Sequence, residues 1–325
     1  MKKVLIDRPL NGEALSLLSK HAEVVSIFDD DKEKLEKALR EVDGVICSAA
    51  LKMREAEIAM GANIKVIGRP GVGYDSVDVE ACSRHKIPLL YTPDGPTESV
   101  AEHVIAMILM AAKQIPLVQK ALKEKGDFGI RTRVTGMEVL GKTLGLAGFG
   151  RIGRRAGEIA TLGLGMKVVV YDPYVKGSPD TGFAYRVVDS LEALAKEADF
   201  LSVHIPYSPE TDKLFGKKIF AAMKKSAIFI NTSRGGVVDE AALIEALKEG
   251  LIAGAGLDVF AKEPPDKDNP LFSMDNVIAT PHLSSFTEDG KRKMGVSVVE
   301  GVLDVFAGKR PQFMVNGEIW ETRRV

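Results

Sequence analysis

Cysteine is scarce in this sequence: two occur in 325 residues, Cys47 and Cys82, both in apolar surroundings. That count excludes a disulfide framework, and the expectation is a pair of reduced core thiols in a cytoplasmic protein. Long apolar runs are missing as well. The longest, around residues 104–112, is too short to span a bilayer, so no membrane partner is expected. The opening MKKVLIDRPL offers only four apolar residues before Asp7 and Arg8, the pattern of a first β-strand rather than a signal peptide. Nor is there an excess of either charge. The formal net charge is −1, which leaves no global field for nucleic acid, and the local RTR run (131–133) reads as a solvated loop. Five histidines occur without metal-ligand spacing, so no metal is expected.

What is present is the balance of a globular chain, 45% hydrophobic and 27% charged, long enough for two domains with a core each. Short β-branched runs at 4–6, 23–28, 44–47, 65–68 and 89–91 alternate with charged helical stretches such as 32–41. That alternation predicts parallel sheets covered by helices on both faces. Residues 99–112 are apolar almost all round, as in a helix buried between two bodies. The polar stretch 113–138 is long for a connection inside one domain and reads either as an arm packing on a second subunit or as a solvated loop. A second series of strands follows at 143–147, 167–171, 200–204, 227–231, 252–257 and 277–279, with helices expected after the first five, 151–161 and 240–250 most clearly. Five or six such strands suffice for a doubly wound nucleotide domain. A last helix at 286–307 would return to the first body.

The second series opens on a turn with specific chemistry. Gly148, Gly150 and Gly153 form G-x-G-x-x-G between the strand TLGLA and the helix RIGRRAGEIA. The first glycine permits the tight turn, the second admits backbone to a pyrophosphate, and the third lets helix and strand pack closely. The helix N-terminus adds free N–H groups and partial positive charge. The next strand, KVVVYD, ends in Asp172, nineteen residues after Gly153 and near the offset expected of a ribose-binding acid. A carboxylate there accepts from the 2′-hydroxyl and repels a 2′-phosphate, which favours NAD over NADP. An unliganded glycine turn is the bland alternative.

Reducing a ketone beside a carboxylate requires a cation for that carboxylate, an acid for the carbonyl oxygen, and a partner that tunes the acid. Arg234 in NTSRGG, Glu263 in LDVFAKEPP and His282 in TPHLSS each follow a strand, where open α/β sheets bind ligands. Gly235 and Gly236 allow close backbone approach beside Arg234. Of the other histidines, His21 and His85 read as exposed, His103 as packing on the apolar helix, and His204 as ending a strand near the cofactor.

In these segments, together with RPGVGYDSVD (69–78), SVAEHV (99–104), GFGRIG (148–153) and HIPYSPET (204–211), the chain resembles the D-isomer-specific 2-hydroxyacid dehydrogenases over nearly all its length. The resemblance implies that Arg234 binds the substrate carboxylate, that His282 is the proton donor, and that Glu263 orients His282 and raises its pKa. It implies cofactor contacts at Arg151, Ile152, His204, Pro206, Thr211, Thr232 and Asp258 beside the three glycines and Asp172, with Asp258 at the nicotinamide end. It implies that the backbone of Val72 and Gly73, with Arg69, receives the substrate.

The substrate branch stays open. Phosphoglycerate dehydrogenases usually carry a phosphate-binding arginine where Cys47 stands, while Arg69, Arg131 or Arg133 could still meet a phosphate. With its end at residue 325 the chain is expected to lack the regulatory domain that many of those enzymes append. A glyoxylate or hydroxypyruvate reductase is the close rival, and a reductase of a bulkier 2-oxo acid a further one. A non-enzymatic NAD(H)-sensing, corepressor-type module is the rival from another class, and it need not keep Arg234, Glu263 and His282. A scaffold without cofactor conflicts with the glycine turn. The expected architecture is a discontinuous, flavodoxin-like substrate domain (1–98 and 284–325) and a Rossmann NAD-binding domain (99–283). The latter would include a dimerisation arm at about 113–140, and the active site would lie in a cleft that closes by a hinge.

Overall fold

The computed structural model describes residues 1–29, 31–175 and 180–324; Val325, the last residue of the expected discontinuous domain, lies outside them. The chain divides into two compact units, Met1–Thr97 with Ser285–Val325, and Glu98–Ser284.

The first unit is built on five parallel strands, β1 (Lys2–Ile6), β2 (Ala22–Ser26), β3 (Gly44–Ile46), β4 (Val66–Arg69) and β5 (Leu89–Tyr91), in the order β2-β1-β3-β4-β5. This is the flavodoxin-like order. Side chains alternate across the sheet, as the pleat requires. Leu5, Val45, Ile67 and Leu89 enter one apolar layer with Leu39, Ile58 and Cys82. Val4, Ile6, Ile46, Val66 and Leu90 enter the opposite layer with Leu18, Val298, Val302 and Trp320. The helices on the two faces are α1 (Gly12–His21), α2 (Lys32–Glu41), α3 (Glu55–Met60), α4 (Val79–Arg84) and the late α11 (Glu288–Phe306). Thr287 caps α11 by accepting from the Gly290 N–H at 2.9 Å. A Cβ on Gly68 would stand 2.6 Å from Val298 Cγ2, so glycine at the end of β4 lets α11 close on the sheet. The late helix packs on the first sheet.

The second unit holds seven parallel strands. They are β6 (Thr143–Ala147), β7 (Lys167–Tyr171), β8 (Arg186–Val187), β9 (Phe200–Val203), β10 (Ile228–Asn231), β11 (Gly254–Leu257) and β12 (Val277–Ala279), ordered β12-β11-β10-β9-β6-β7-β8. This is the doubly wound nucleotide arrangement with one added edge strand. Leu144, Leu146, Val168, Val170, Ile228 and Ile230 face α5 (Thr97–Ala112) and α7 (Arg151–Glu158). Leu201, Val203, Phe229 and Leu257 face α8 (Leu191–Glu197), α9 (Lys217–Ala222) and α10 (Glu240–Lys248).

Four expectations are corrected. The sheet has seven strands rather than five or six, because β8 is a two-residue edge strand too short to carry periodicity. Only a 3-10 turn, Pro270–Ser273, joins β11 to β12 where a helix was expected. The helix after the glycine turn ends as α-helix at Glu158 and continues as a wider turn, Ile159–Gly163. The stretch 113–138 is not irregular. It contains α6 (Ile115–Lys125), opened by Pro116 and closed by Gly126 at φ +61°.

Candidate active site

The strand order brings the chemistry together. β10, β11 and β12 are neighbours and parallel, so their carboxyl ends open on one edge of the second unit. Arg234 follows β10, Glu263 follows β11, and His282 follows β12. His282 Nδ1 lies 2.7 Å from Glu263 Oε2, and Glu263 Oε1 accepts from the Phe260 N–H at 3.1 Å. Burial alone would raise the Glu263 carboxyl. The hydrogen bond and charge of His282, the Phe260 N–H and the charge of Arg234 outweigh it and hold the group below its ordinary value. With Nδ1 committed to that carboxylate, Nε2 is the nitrogen left for a reacting group.

The Arg234 loop is shaped by Asn231. Its Nδ2 donates to the Arg234 carbonyl at 2.9 Å, and its Oδ1 accepts from the Ser233 N–H at 3.0 Å. Glu240 ties down the next loop, accepting from the Ala261 N–H and from Asn269 Nδ2, both at 2.9 Å. Sequence reading passed over both residues, although asparagine after a strand is an Asx-turn signal. A Cβ on Gly236 would meet the Tyr207 ring at 2.7 Å, so the Arg234 loop packs directly under Tyr207.

The glycine turn fits a dinucleotide. Gly148 has φ +95°, and a Cβ there would stand 2.7 Å from the His204 carbonyl oxygen. A Cβ on Gly153 would stand 2.5 Å from the Gly148 carbonyl oxygen, which only glycine allows. Gly150 caps α7 without any side-chain hydrogen bond, and the space over it is open. Arg151 and Ile152 follow as the first residues of α7, the end of a helix whose partial positive charge favours an anion. Asp172 accepts from the Phe149 N–H at 2.8 Å and from the Tyr174 N–H at 2.9 Å. Asp172, expected as the ribose acid, thus ties the glycine turn to the end of β7, and its carboxylate has further lone pairs to accept with.

Thr232, just beyond β10, has a buried hydroxyl oxygen with no hydrogen-bond partner among the described residues, a donor site for a bound polar group. His204 shares a hydrogen bond with Ser202 Oγ at 3.0 Å, and burial pushes its imidazole down to about 4, so it is neutral near pH 7. Thr211 is turned inward instead. Its hydroxyl donates to the Pro206 carbonyl at 2.8 Å and accepts from the Ser208 N–H at 2.7 Å, closing the loop over β9. Asp258 is fully buried, and its carboxylate accepts from Thr280 Oγ1, the Leu283 N–H and the Ser284 N–H. The side chain expected at the nicotinamide end is therefore anchored in the loop that carries His282.

The expected substrate residues lie in the first unit, on the loop after β4. Val72 is exposed, Gly71 has φ +130° with its N–H on Thr92 Oγ1 at 2.6 Å, Gly73 continues the loop, and Arg69 ends β4 with its guanidinium on the Pro70 carbonyl. Cys47 is 0% exposed within the apolar layer, and burial pushes its thiol up to about 12. Position 47 presents nothing to a ligand in this chain. Arg133 pairs with Asp127, and Arg131 sits 5.0 Å over the Phe128 ring, so both guanidiniums contact their own segment. His85, expected exposed, is half-buried and bonds Glu55 Oε1 at 2.7 Å.

A family model described as the NAD binding domain of D-isomer specific 2-hydroxyacid dehydrogenase matches residues 105–284. Among curated proteins, the D-3-phosphoglycerate dehydrogenase of Methanocaldococcus jannaschii is 40% identical over 316 residues, which are 97% of this chain but 60% of that protein. The hydroxypyruvate reductase of Thermotoga maritima is 39% identical over 303 residues, 92% of this chain and 97% of that protein. The solved structure of the TT0316 protein from Thermus thermophilus superposes with a TM-score of 0.84 at 34% identity, covering 96% of this chain and 99% of its own. The chain thus spans about 60% of the length of the phosphoglycerate dehydrogenase it matches, and nearly all of the hydroxypyruvate reductase.

Proposed function

We propose, for a chain that belongs to the D-isomer-specific 2-hydroxyacid dehydrogenases, an NAD-dependent interconversion of a 2-oxo acid and its D-2-hydroxy acid. The observation that carries this reading is the His282–Glu263 pair at 2.7 Å, with the charge of Arg234 acting on the same carboxylate. NADH, when bound, supplies the hydride. Arg234 holds the substrate carboxylate and draws electron density from the carbonyl. His282 delivers a proton from Nε2 to the carbonyl oxygen while Glu263 holds Nδ1 and stabilises the charged ring. In the reverse direction the same nitrogen takes the hydroxyl proton. Gly148, Gly150, Gly153 and the start of α7 hold the pyrophosphate, and Asp172 the ribose. An NAD(H) sensor needs no such donor, which argues for the enzyme.

The substrate we favour is 3-phosphohydroxypyruvate, supported by the name of the Methanocaldococcus relative at 40% identity. Hydroxypyruvate is the second reading, supported by the near full-length match to the Thermotoga enzyme and by Cys47 facing the core. Loss of NADH absorbance is expected with 2-oxo acids, at least tenfold higher in kcat/KM for 3-phosphohydroxypyruvate than for hydroxypyruvate or glyoxylate. The opposite order favours the second reading, and no turnover with any of them overturns the enzyme. Tighter binding of NADPH than NADH would remove Asp172 from its role.

The same reading makes the chain a cytoplasmic homodimer, joined through the 113–138 segment. The supporting feature is α6, which buries none of its residues and leaves Ile115 and Leu122 exposed, with Phe128 exposed just beyond. Sedimentation equilibrium is expected to give twice the chain mass of 35.1 kDa, and a monomer at micromolar concentration would refute the dimer.

A further inference from the structure

His282 stands in a backbone conformation that needs support. Its φ is +52°, in the left-handed region that residues other than glycine rarely adopt. Most of the support comes from one residue. The His282 N–H donates to the Asp258 carbonyl at 2.8 Å, the Leu283 N–H to Asp258 Oδ1 at 2.9 Å, and the Ser284 N–H to Asp258 Oδ2 at 2.9 Å. Thr280, two residues before His282, donates its hydroxyl proton to Oδ1 at 2.6 Å. The turn from 280 to 284 is thus held mainly by Asp258, which is 0% exposed, with the Thr280 carbonyl also accepting from the His282 N–H at 3.1 Å and the Leu257 carbonyl from the Thr280 N–H at 2.9 Å.

The other side of this anchor is His103, on α5. Its Nε2 lies 3.2 Å from Thr280 Oγ1 and 3.9 Å from Asp258 Oδ1, with the side chain 16% exposed. Apart from Ser99, the face that α5 buries is apolar, with Ala101, Val104, Met107 and Ile108, where leucine at 103 would fill the space without bringing a polar ring into it. Burial lowers the imidazole below its ordinary value against the opposing charge of Asp258, so the ring is neutral with one N–H to give. Thr280 Oγ1 spends its proton on Asp258 and has lone pairs left to accept. The chain His103 Nε2–H to Thr280 Oγ1–H to Asp258 Oδ1 then runs in one direction, each member polarising the next.

We propose that His103 is a positioning residue for the proton donor, acting through the Thr280 hydroxyl and the Asp258 carboxylate on the turn that carries His282. The inference rests on the reading of His282 as that donor, but its structural half stands without it. His103 touches neither Glu263 nor the imidazole of His282 through any hydrogen bond, and its influence passes through the orientation of one hydroxyl. Leucine at 103 removes the donor and leaves Thr280 free to turn. Glutamine places an amide N–H near the position of Nε2 and keeps the chain intact.

Hydrogen exchange of the full chain without cofactor tests the structural half. In His103→Leu, amides in 280–284 are expected to exchange about fivefold to tenfold faster, the worth of one hydrogen bond, with strand β9 unchanged. His103→Gln is expected to restore wild-type exchange. Steady-state kinetics tests the other half. His103→Leu is expected to lower kcat by a similar factor with KM for the 2-oxo acid within about twofold, again rescued by glutamine. Unchanged exchange at 280–284, a loss of protection spread evenly over α5 and the sheet, or glutamine no better than leucine would each overturn the proposal. A wild-type chain that turns over no 2-oxo acid but shows the local exchange effect would sink the proposed activity and leave the anchor standing.

Discussion

Replacing His282 by alanine is expected to lower turnover of the 2-oxo acid by about two to four orders of magnitude, the usual contribution of a positioned general acid. The expectation follows from the geometry of the ring. Nδ1 is held on Glu263 at 2.7 Å, a carboxylate kept ionised below its ordinary value, so Nε2 is left to face the reaction. Alanine removes that nitrogen and creates no cavity of consequence, because the His282 side chain is 41% exposed. The backbone of the turn should persist, since its hydrogen bonds to Asp258 come from main-chain N–H groups at 282, 283 and 284. Alanine tolerates the left-handed φ somewhat less well than histidine, so the substitution relieves no backbone strain. Binding of NADH, followed by fluorescence titration, should therefore stay within about threefold of wild type while kcat collapses. Turnover within tenfold of wild type would exclude His282 as the proton donor. A parallel loss of NADH affinity would indicate a collapsed loop instead.

Alanine at Gly235 is expected to cost about 3 kcal/mol or more of stability, with activity lost well beyond the change in folded fraction. A Cβ there would stand 1.9 Å from the Phe260 carbonyl oxygen, 2.0 Å from its carbonyl carbon and 2.5 Å from the Ala261 nitrogen. All three are backbone atoms, so no rotamer change relieves the clash. The loop after β10 would have to part from the loop after β11. Arg234 precedes Gly235, and the Phe260 N–H is the group that fixes Glu263 Oε1, so the separation pulls apart the cation and the acid of the site. Gly216→Ala provides the control, because its new methyl would meet nothing closer than 3.7 Å. Thermal denaturation should show Gly216→Ala near the wild-type midpoint and Gly235→Ala far below it. A wild-type midpoint for Gly235→Ala would mean that the two loops are not in contact.

Legibility in the sequence followed burial. The strands 143–147 and 167–171 are read to the residue, because buried parallel strands are runs of β-branched and aliphatic side chains bounded by turn residues. Helix α6 escaped because its apolar positions, Ile115, Val118 and Leu122, are set among charged and polar residues and none is buried, although Pro116 at its start, Lys123 and Lys125 in its last turn and Gly126 after it were signals. Strand β8 escaped because two residues cannot show alternation. Cys47 was legible as a core thiol from its apolar surroundings, and its side chain does lie in an apolar layer. Asp258 was legible as a motif residue, but nothing along the chain says that its carboxylate is buried under the His282 turn, 24 residues further on.

The sequence by itself determined the chemistry on offer and the class of fold. The glycine turn between strand and helix specifies an NAD-binding fold because only glycine permits that backbone. The strand runs specify parallel sheets because both faces of the central strands are apolar. What only the tertiary structure decided is which groups meet. Arg234, Glu263 and His282 lie 29 and 19 residues apart, and they converge because β10, β11 and β12 are adjacent and parallel, so that three successive loops leave the same edge. The contacts that hold them there pass between loop backbones and a buried carboxylate, and hydrogen-bond geometry at about 3 Å is a property of the packed chain that residue order does not encode locally.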